Sequence, residues 1–439
     1  MRSSIFKWMR LGLALLLGLL AFGSFASTQK AVALSSGPRV GVVCTTGGPN
    51  PTFNLDAGSG TINLSDGNTM YMWSYSASGG AFQYPGPVLC VNQGDNVTVI
   101  LHNTLPERVS IMFPGQVGVQ ANGAPVQPEF FGSAGSLTSF TNSAATGGTV
   151  TYSFTASNPG TFIYESGTDP KKQVEMGLAS VLIVRPTAGA TFAYNRTDSQ
   201  FTQGEEYLAI LSEIDPYLHQ SVQAGKTNFD MNTYHPRYWL LNGRGFPDTV
   251  ADNFASWLPA QPYGSLALIH PFNNSLPPSN PAYHPYPGIE RFVNVGTEDF
   301  PFHPHGQNGL LIGRDGHALG DAGATDLSME KFAVNVGPGQ TWDVLFRWYD
   351  AEHYDAVSNP VPVPVPDLVN LTIGMFSSGS PYLGTLGVLP PGIQTLNQCG
   401  EYYIISHNHA LFQLDAWGQT MAGPITYLRV DPPLPNNCP

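Results

Sequence analysis

Alternation of apolar and polar side chains carries most of the structural signal in this chain. Val150, Tyr152 and Phe154 alternate with Thr151, Ser153 and Thr155, the period of two that marks a strand with one buried face. Residues 97–103 repeat the pattern after the turn residues of 85–95, and 161–164 and 178–184 follow the turn at Asn158, Pro159 and Gly160. Further on, residues 207–211 and 238–241 are short apolar runs, and Arg291, Phe292, Val293, Asn294 and Val295 lead into the first histidine pair. Trp342, Val344, Phe346 and Trp348 then take one face of a strand against Asp343, Leu345 and Arg347. The pattern predicts an all-β chain with one sandwich over 38–187, a polar linker over 188–204, and a second sandwich over 205–439. Pro- and Asn-rich insertions interrupt the second at about 251–288 and 355–385. Alternating Val and Pro over 361–366 predicts an extended polyproline stretch, since repeated proline cannot donate to a central ladder.

Composition supports that picture and adds a compartment. Glycine (48) and proline (38) are abundant and only 11% of residues are charged, which suits many short strands joined by turns. A formal charge of −13 makes the chain a poor partner for nucleic acid. Arg2, Lys7 and Arg10 precede an apolar run over 11–25, and Ala31, Val32 and Ala33 offer a small-residue cleavage site. Residues 1–33 therefore read as a signal peptide, and the mature protein is expected to be secreted or periplasmic. Four cysteines, Cys44, Cys90, Cys399 and Cys438, are an even number for an exported chain and read as two disulfides. Proximity in sequence favours Cys44–Cys90 and Cys399–Cys438 among three possible connectivities.

The chemistry concentrates in two His-x-His pairs, His303/His305 and His407/His409. On a strand, residues i and i+2 project to the same face, so each pair aims two imidazoles at one point. With 11 histidines in 439 residues, random placement gives only about 0.3 such pairs. Four convergent imidazoles are costly to desolvate without a metal or hydrogen-bond partners, so these four are the candidate metal ligands. His102 reads as an ordinary strand residue. The other histidines, His219, His235, His270, His284, His317 and His353, stand singly in loop-like contexts and read as solvent-facing.

The stretches 85–103, 160–186, 242–248, 291–316, 334–344 and 401–430 together resemble the multicopper oxidases, which are built from cupredoxin (plastocyanin-like) domains. The resemblance implies two cupredoxin-like Greek-key β-sandwiches and copper as cofactor. The family carries four His-x-His motifs around a trinuclear cluster. Here the first falls on Ile111, Met112 and Phe113 and the second on Tyr164, Glu165 and Ser166, without histidine in either; the third and fourth survive. At the blue-copper positions stand Phe300, Asn408, Gln413 and, approximately, Gly418, none of which offers the thiolate or imidazole such a site needs. Glu165 replaces a cluster histidine, and as a fifth ligand it would complete the site; the bland reading pairs it with a lysine of the following loop. Met112 sits between apolar neighbours that favour packing over ligation. The resemblance thus implies an exported protein that binds copper or another transition metal through a residual histidine cluster, with non-blue oxidoreductase chemistry and a small-molecule or protein electron donor. A laccase-type relay would lack its entry point. The alternative is a non-catalytic cupredoxin scaffold for metal sequestration or envelope structure.

Overall fold

The structure, a computed structural model, describes residues 38–131, 135–226, 228–321, 325–349, 401–436 and 438. The leader at 1–33, the second insertion with its Val-Pro repeat, His353 and Cys399 lie outside them. Among the described residues no helix is long and apolar enough to cross a membrane.

Among the described residues four sheets form the layers, besides a two-stranded pairing of Glu129–Phe131 with Ser136–Ser139. The outer layer of the first sandwich has six strands, in the order Thr69–Ala77, Thr52–Asn63, Asn96–Asn103, Thr149–Thr155, Gln120–Ala121 and Ala124–Pro125. Facing it is a three-stranded sheet of Gly160–Glu165, Ala179–Arg185 and Leu89–Asn92. Between the two lies a core that includes Trp73, Val99, Leu101, Tyr152, Phe154, Phe162 and Tyr164. The second sandwich pairs a seven-stranded sheet, centred on Glu206–Ile214, Gly288–Asn294 and Thr341–Phe346, with a five-stranded one. The latter runs in the order Ala267–Ile269, Ile425–Val430, Tyr402–Asn408, Phe300–Pro304 and Val334–Val336. Its core gathers Phe292, Phe300, Phe302, Val344, Phe346 and Ile404. The all-β, two-sandwich reading of the sequence describes this architecture.

The two sandwiches share a seam. Val88, Ile163, Val181 and Ile183 on the outer face of the three-stranded sheet pack against Leu208, Ile210, Val293 and Val295 of the seven-stranded sheet. The central strands of that sheet are consequently buried on both faces, and Gly288–Asn294 is buried at every position. In this strand Phe292 faces the second core while Arg291 and Val293 face the seam. Asp343, assigned by alternation to the polar side of its strand, is buried in the seam, where it binds Arg291 at 3.0 Å. Residues 188–204 also depart from a polar linker: Ala193, Tyr194 and Phe201 pack on Ile289, Ile312 and Leu345. Their apolar side chains were too sparse for the pattern to single out.

A strap over residues 38–45 closes the seam. Its Val42 amide donates to Glu206 at 2.9 Å, while Thr45 donates to Val88 at 2.7 Å. Asn253 Nδ2 donates to the carbonyls of Pro38 and Gly41 at 2.9 and 3.0 Å. The strap is tied to the first sandwich by the Cys44–Cys90 disulfide, as the cysteine spacing suggested. Cys438 is disulfide-bonded as well, and Cys399, its expected partner, lies outside the described residues.

Candidate metal centre

Strands Phe300–Pro304 and Tyr402–Asn408 run antiparallel with His303 directly opposite His407. The ladder continues one step past each strand end, His305 donating to the Ile405 carbonyl at 2.9 Å and His409 to that of Pro301 at 2.7 Å. Register and the i, i+2 rule therefore place all four imidazoles on one face at one end of the five-stranded sheet. Ring centroids of His303 lie 4.7, 5.7 and 5.2 Å from those of His305, His407 and His409. His305 and His407 are 5.1 Å apart, and His407 and His409 are 5.6 Å apart. The cluster is half-buried, with His409 exposed, and opens into a depression of about 410 Å³ lined by His303, His305, Gln307, Asn308 and Phe332.

Hydrogen bonds fix the tautomers. A carbonyl only accepts, so Nδ1 of His303 donates to Phe332 O at 2.7 Å and Nδ1 of His407 donates to Asn408 O at 2.8 Å. Their Nε2 lone pairs face the cluster. His305 Nε2 lies 3.1 Å from His407 Nε2. Two nitrogens about 2.0–2.1 Å from one ion stand roughly 2.9 Å apart at square-planar corners and roughly 3.3 Å apart at tetrahedral ones, so the spacing already suits a shared ion. Burial, followed by its three imidazole neighbours, pushes the His305 pKa down to about 4. Burial also lowers that of His407. Both rings are thus held neutral, the form that ligates.

Glu165 is not among the groups brought together. It ends Gly160–Glu165 in the three-stranded sheet, so the whole seven-stranded sheet lies between it and the sheet bearing the histidines. Burial lifts its pKa to about 7. The lysine pairing is absent too, because Lys172 binds Glu107 at 2.8 Å and Asp169 at 3.2 Å. The two vanished motifs nonetheless remain neighbours: Met112 and Glu165 exchange backbone hydrogen bonds of 2.6 and 3.2 Å. Ile111, Phe113 and Tyr164 are core residues.

The blue-copper positions hold a different chemistry. Phe300 is fully buried in the second core. Asn408 donates to Gln413, whose amide donates to Glu298 at 2.7 Å; Trp239 donates to the same Glu298 oxygen at 2.7 Å. An amide–carboxylate–indole chain thus fills the space, without sulfur or imidazole.

Three histidines read as solvent-facing are not so, and of these His219 is fully buried between the Tyr71 and Glu175 carbonyls. His270 and His284 are half-buried and converge on the buried Glu205, at 2.7 and 3.3 Å. Burial alone would raise the Glu205 pKa, but these two imidazoles bring it below the usual carboxylate value. His235 and His317 are exposed as expected. Separations of 65 residues and more in sequence hid the convergence on Glu205. His102 lies in its strand, 3.4 Å from Asp56.

Residues 56–189 match the family model described as multicopper oxidase. L-ascorbate oxidase of Cucurbita pepo var. melopepo is 31% identical over 181 residues, 40% of this chain and 29% of that protein. That of Cucurbita maxima is also 31% identical, over 40% and 28%. The chain therefore spans less than a third of the length of these curated relatives. A blue copper oxidase from Nitrosomonas europaea superposes with a TM-score of 0.54 at 16% identity, covering 87% of this chain and 85% of that one. The multicopper oxidase mgLAC gives 0.54 at 17%, covering 87% and 86%. At such identities the likeness is one of fold.

Proposed function

We propose that this chain, whose residues 56–189 match the multicopper oxidase model, is a member of that family and an exported copper protein whose metal is held by His303, His305, His407 and His409. The observation that carries the reading is the convergence of four imidazoles from two adjacent strands, with two Nε2 atoms 3.1 Å apart. The residues present fit a nitrogen-only centre: Phe332 and Asn408 carbonyls orient two of the rings, and burial keeps His305 neutral. Copper bound to such a set supplies one-electron chemistry without a thiolate charge-transfer band. The open depression beside His303 gives a small reductant or oxidant direct access. The blue-copper positions do not fit that ion, and no electron entry is routed through them.

The function proposed is therefore non-blue oxidoreductase chemistry, with an external small molecule or protein as electron donor. A second reading, a non-catalytic scaffold that sequesters metal or serves the envelope, is favoured by the amide chain at Asn408 and Gln413, which leaves no internal relay. Copper loading with elemental analysis and paramagnetic resonance tests the site. Parent protein should show a copper signal split by several imidazole nitrogens, and the His303→Ala/His409→Ala variant should lose it, while His317→Ala keeps it. The same signal in the double variant would refute the assignment. Reversible bleaching of the signal by a mild external reductant and dioxygen favours the enzyme; a signal inert to both favours the scaffold.

A further inference from the structure

We propose that Glu205, His270 and His284 form a second metal site, separate from the four-histidine centre, which takes a zinc-type divalent cation and clasps the 270–287 loop onto the second sandwich. Glu205 immediately precedes strand Glu206–Ile214, His270 follows Ala267–Ile269, and His284 lies just before Gly288–Asn294. Strand Glu206–Ile214 runs parallel to Gly288–Asn294, Glu206 standing beside Ile289. Glu205 and the residues before Gly288 therefore meet at one end of the seven-stranded sheet. Ala267–Ile269 belongs to the five-stranded sheet, so His270 reaches the same place from the other layer. The group joins both sheets and the insertion between them.

The two metal centres occupy opposite ends of the five-stranded sheet. Ile269 stands beside Val430, which pairs with Tyr402, five residues before His407 in the same strand. At about 3.3 Å per residue that is roughly 17 Å along the strand.

The donor set is two imidazoles and one carboxylate, the ligands of three-coordinate zinc sites that keep a fourth position for water or another oxygen. Glu205 Oε1 lies 3.3 Å from His284 Nε2, the separation of two tetrahedral ligands, and 2.7 Å from His270 Nδ1. Accepting an ion requires His270 to withdraw by roughly 0.6 Å. Thr202 Oγ1, 3.2 Å from His284 Nε2, is placed to supply or orient the fourth ligand. Two polar atoms here are buried without hydrogen-bond partners: Glu205 Oε2 and His284 Nδ1. A hydrogen-bonded His–Glu–His cluster explains the short contacts to Oε1 but leaves Oε2 without a counterpart, whereas a cation chelated by both carboxylate oxygens satisfies it. Backbone bonds hold the frame, His270 N donating to Glu205 Oε1 at 3.1 Å and the Asn273 and His284 backbones exchanging bonds of 2.7 and 2.8 Å.

Cobalt(II) titration of the full mature chain tests the site. In the His303→Ala/His409→Ala background, which removes the first centre, one equivalent of cobalt should bind with the visible d–d bands of a tetrahedral ion. Adding Glu205→Gln or His284→Ala should weaken that binding by more than about 100-fold, beyond the range for loss of an outer-shell partner. In otherwise unchanged protein, His284→Gln should leave the copper signal of the four-histidine centre intact, and in the double-alanine background it should abolish the rise in thermal midpoint with added zinc. Absence of cobalt binding in the double-alanine background, with a parent-like circular dichroism spectrum, overturns the proposal without touching the first centre. Cobalt binding that survives both Glu205→Gln and His284→Ala also overturns it.

Discussion

Asp343→Ala is the substitution that weighs the seam most directly. The Asp343 carboxylate is 2% exposed and accepts three hydrogen bonds: from Thr161 Oγ1 at 2.6 Å, Tyr194 OH at 2.6 Å and Arg291 Nη1 at 3.0 Å. Thr161 belongs to the first sandwich, Arg291 and Asp343 to the second. Arg291 also reaches Glu206 at 2.6 Å, and Glu206 takes Arg185 of the first sandwich at 2.5 Å. Burial alone would raise the Glu206 pKa, but the two guanidiniums more than offset it and leave the carboxyl below its usual range. Removing Asp343 takes one of two carboxylates from the buried Arg291 guanidinium and the acceptor from two hydroxyls, a loss of about 3–5 kcal/mol for a broken buried pair. Unfolding entropy is about 2.1 cal/mol/K per residue, roughly 0.8 kcal/mol/K for roughly 400 residues, so the midpoint should fall by about 4–6 °C. Thr161→Val, which removes one hydroxyl, should cost about 1–2 kcal/mol. The two changes should not add, because they share partners. Scanning calorimetry of both single variants and the double variant measures this. A midpoint within about 1 °C of the parent for Asp343→Ala would show that the network contributes specificity without stability, against this reasoning.

Copper-loaded protein should lack the intense visible band of a thiolate–copper bond, because Asn408 and Gln413 occupy the relevant positions; a strong blue colour would refute that placement. Turnover of phenols in a laccase assay should accordingly stay near background. Burial raises the Glu290 pKa to about 8, above the ordinary 4.5 of a glutamate, so between these pH values the folded chain binds more protons than the unfolded one and stability falls as pH rises. Glu290→Gln should therefore flatten the decline in midpoint from pH 5 to 8, by up to about 1.4 kcal/mol per pH unit; parallel profiles for variant and parent would show that Glu290 is not the source. Cys44→Ser opens a link across 46 residues, for which chain entropy gives up to about 4 kcal/mol. Urea denaturation should report that loss, and an unchanged midpoint would assign the strap's hold to its hydrogen bonds alone.

Legibility in the sequence followed physical range. Strands with one solvated face, such as Thr149–Thr155, announced themselves by alternation, and the paired histidines by the same period of two. Alternation also found the Thr341–Phe346 strand but put Asp343 on a polar side, because a strand covered on both sides has no solvated face for its polar residues. The missing blue-copper site was legible as soon as the final motif was placed, since one residue type excludes thiolate ligation. Glu165 showed the limit of motif correspondence: its backbone keeps its neighbour Met112, but sheet layering carries it away from the histidines. Contacts closed by tertiary structure left no local trace. Thr161 and Asp343 are 182 positions apart, and His270 meets Glu205 only because an insertion without period folds back on a strand end.

The strap over residues 38–45 sets an order on biosynthesis. Its partners Glu206 and Asn253 are translated long after it, Asn253 standing 215 positions beyond Pro38. While the first sandwich emerges, the strap can reach Val88, Leu89, Cys90 and Arg185 of that sandwich, and its other edge waits open to solvent. Sulfur–sulfur closure at Cys44–Cys90 can therefore precede completion of the second sandwich and hold the strap in position as a template. The apolar face of Val88, Ile163, Val181 and Ile183 stays uncovered over the same interval. A nascent chain stalled before residue 253 should thus be the species most dependent on chaperones, because half of its seam has been made and the half that shields it has not.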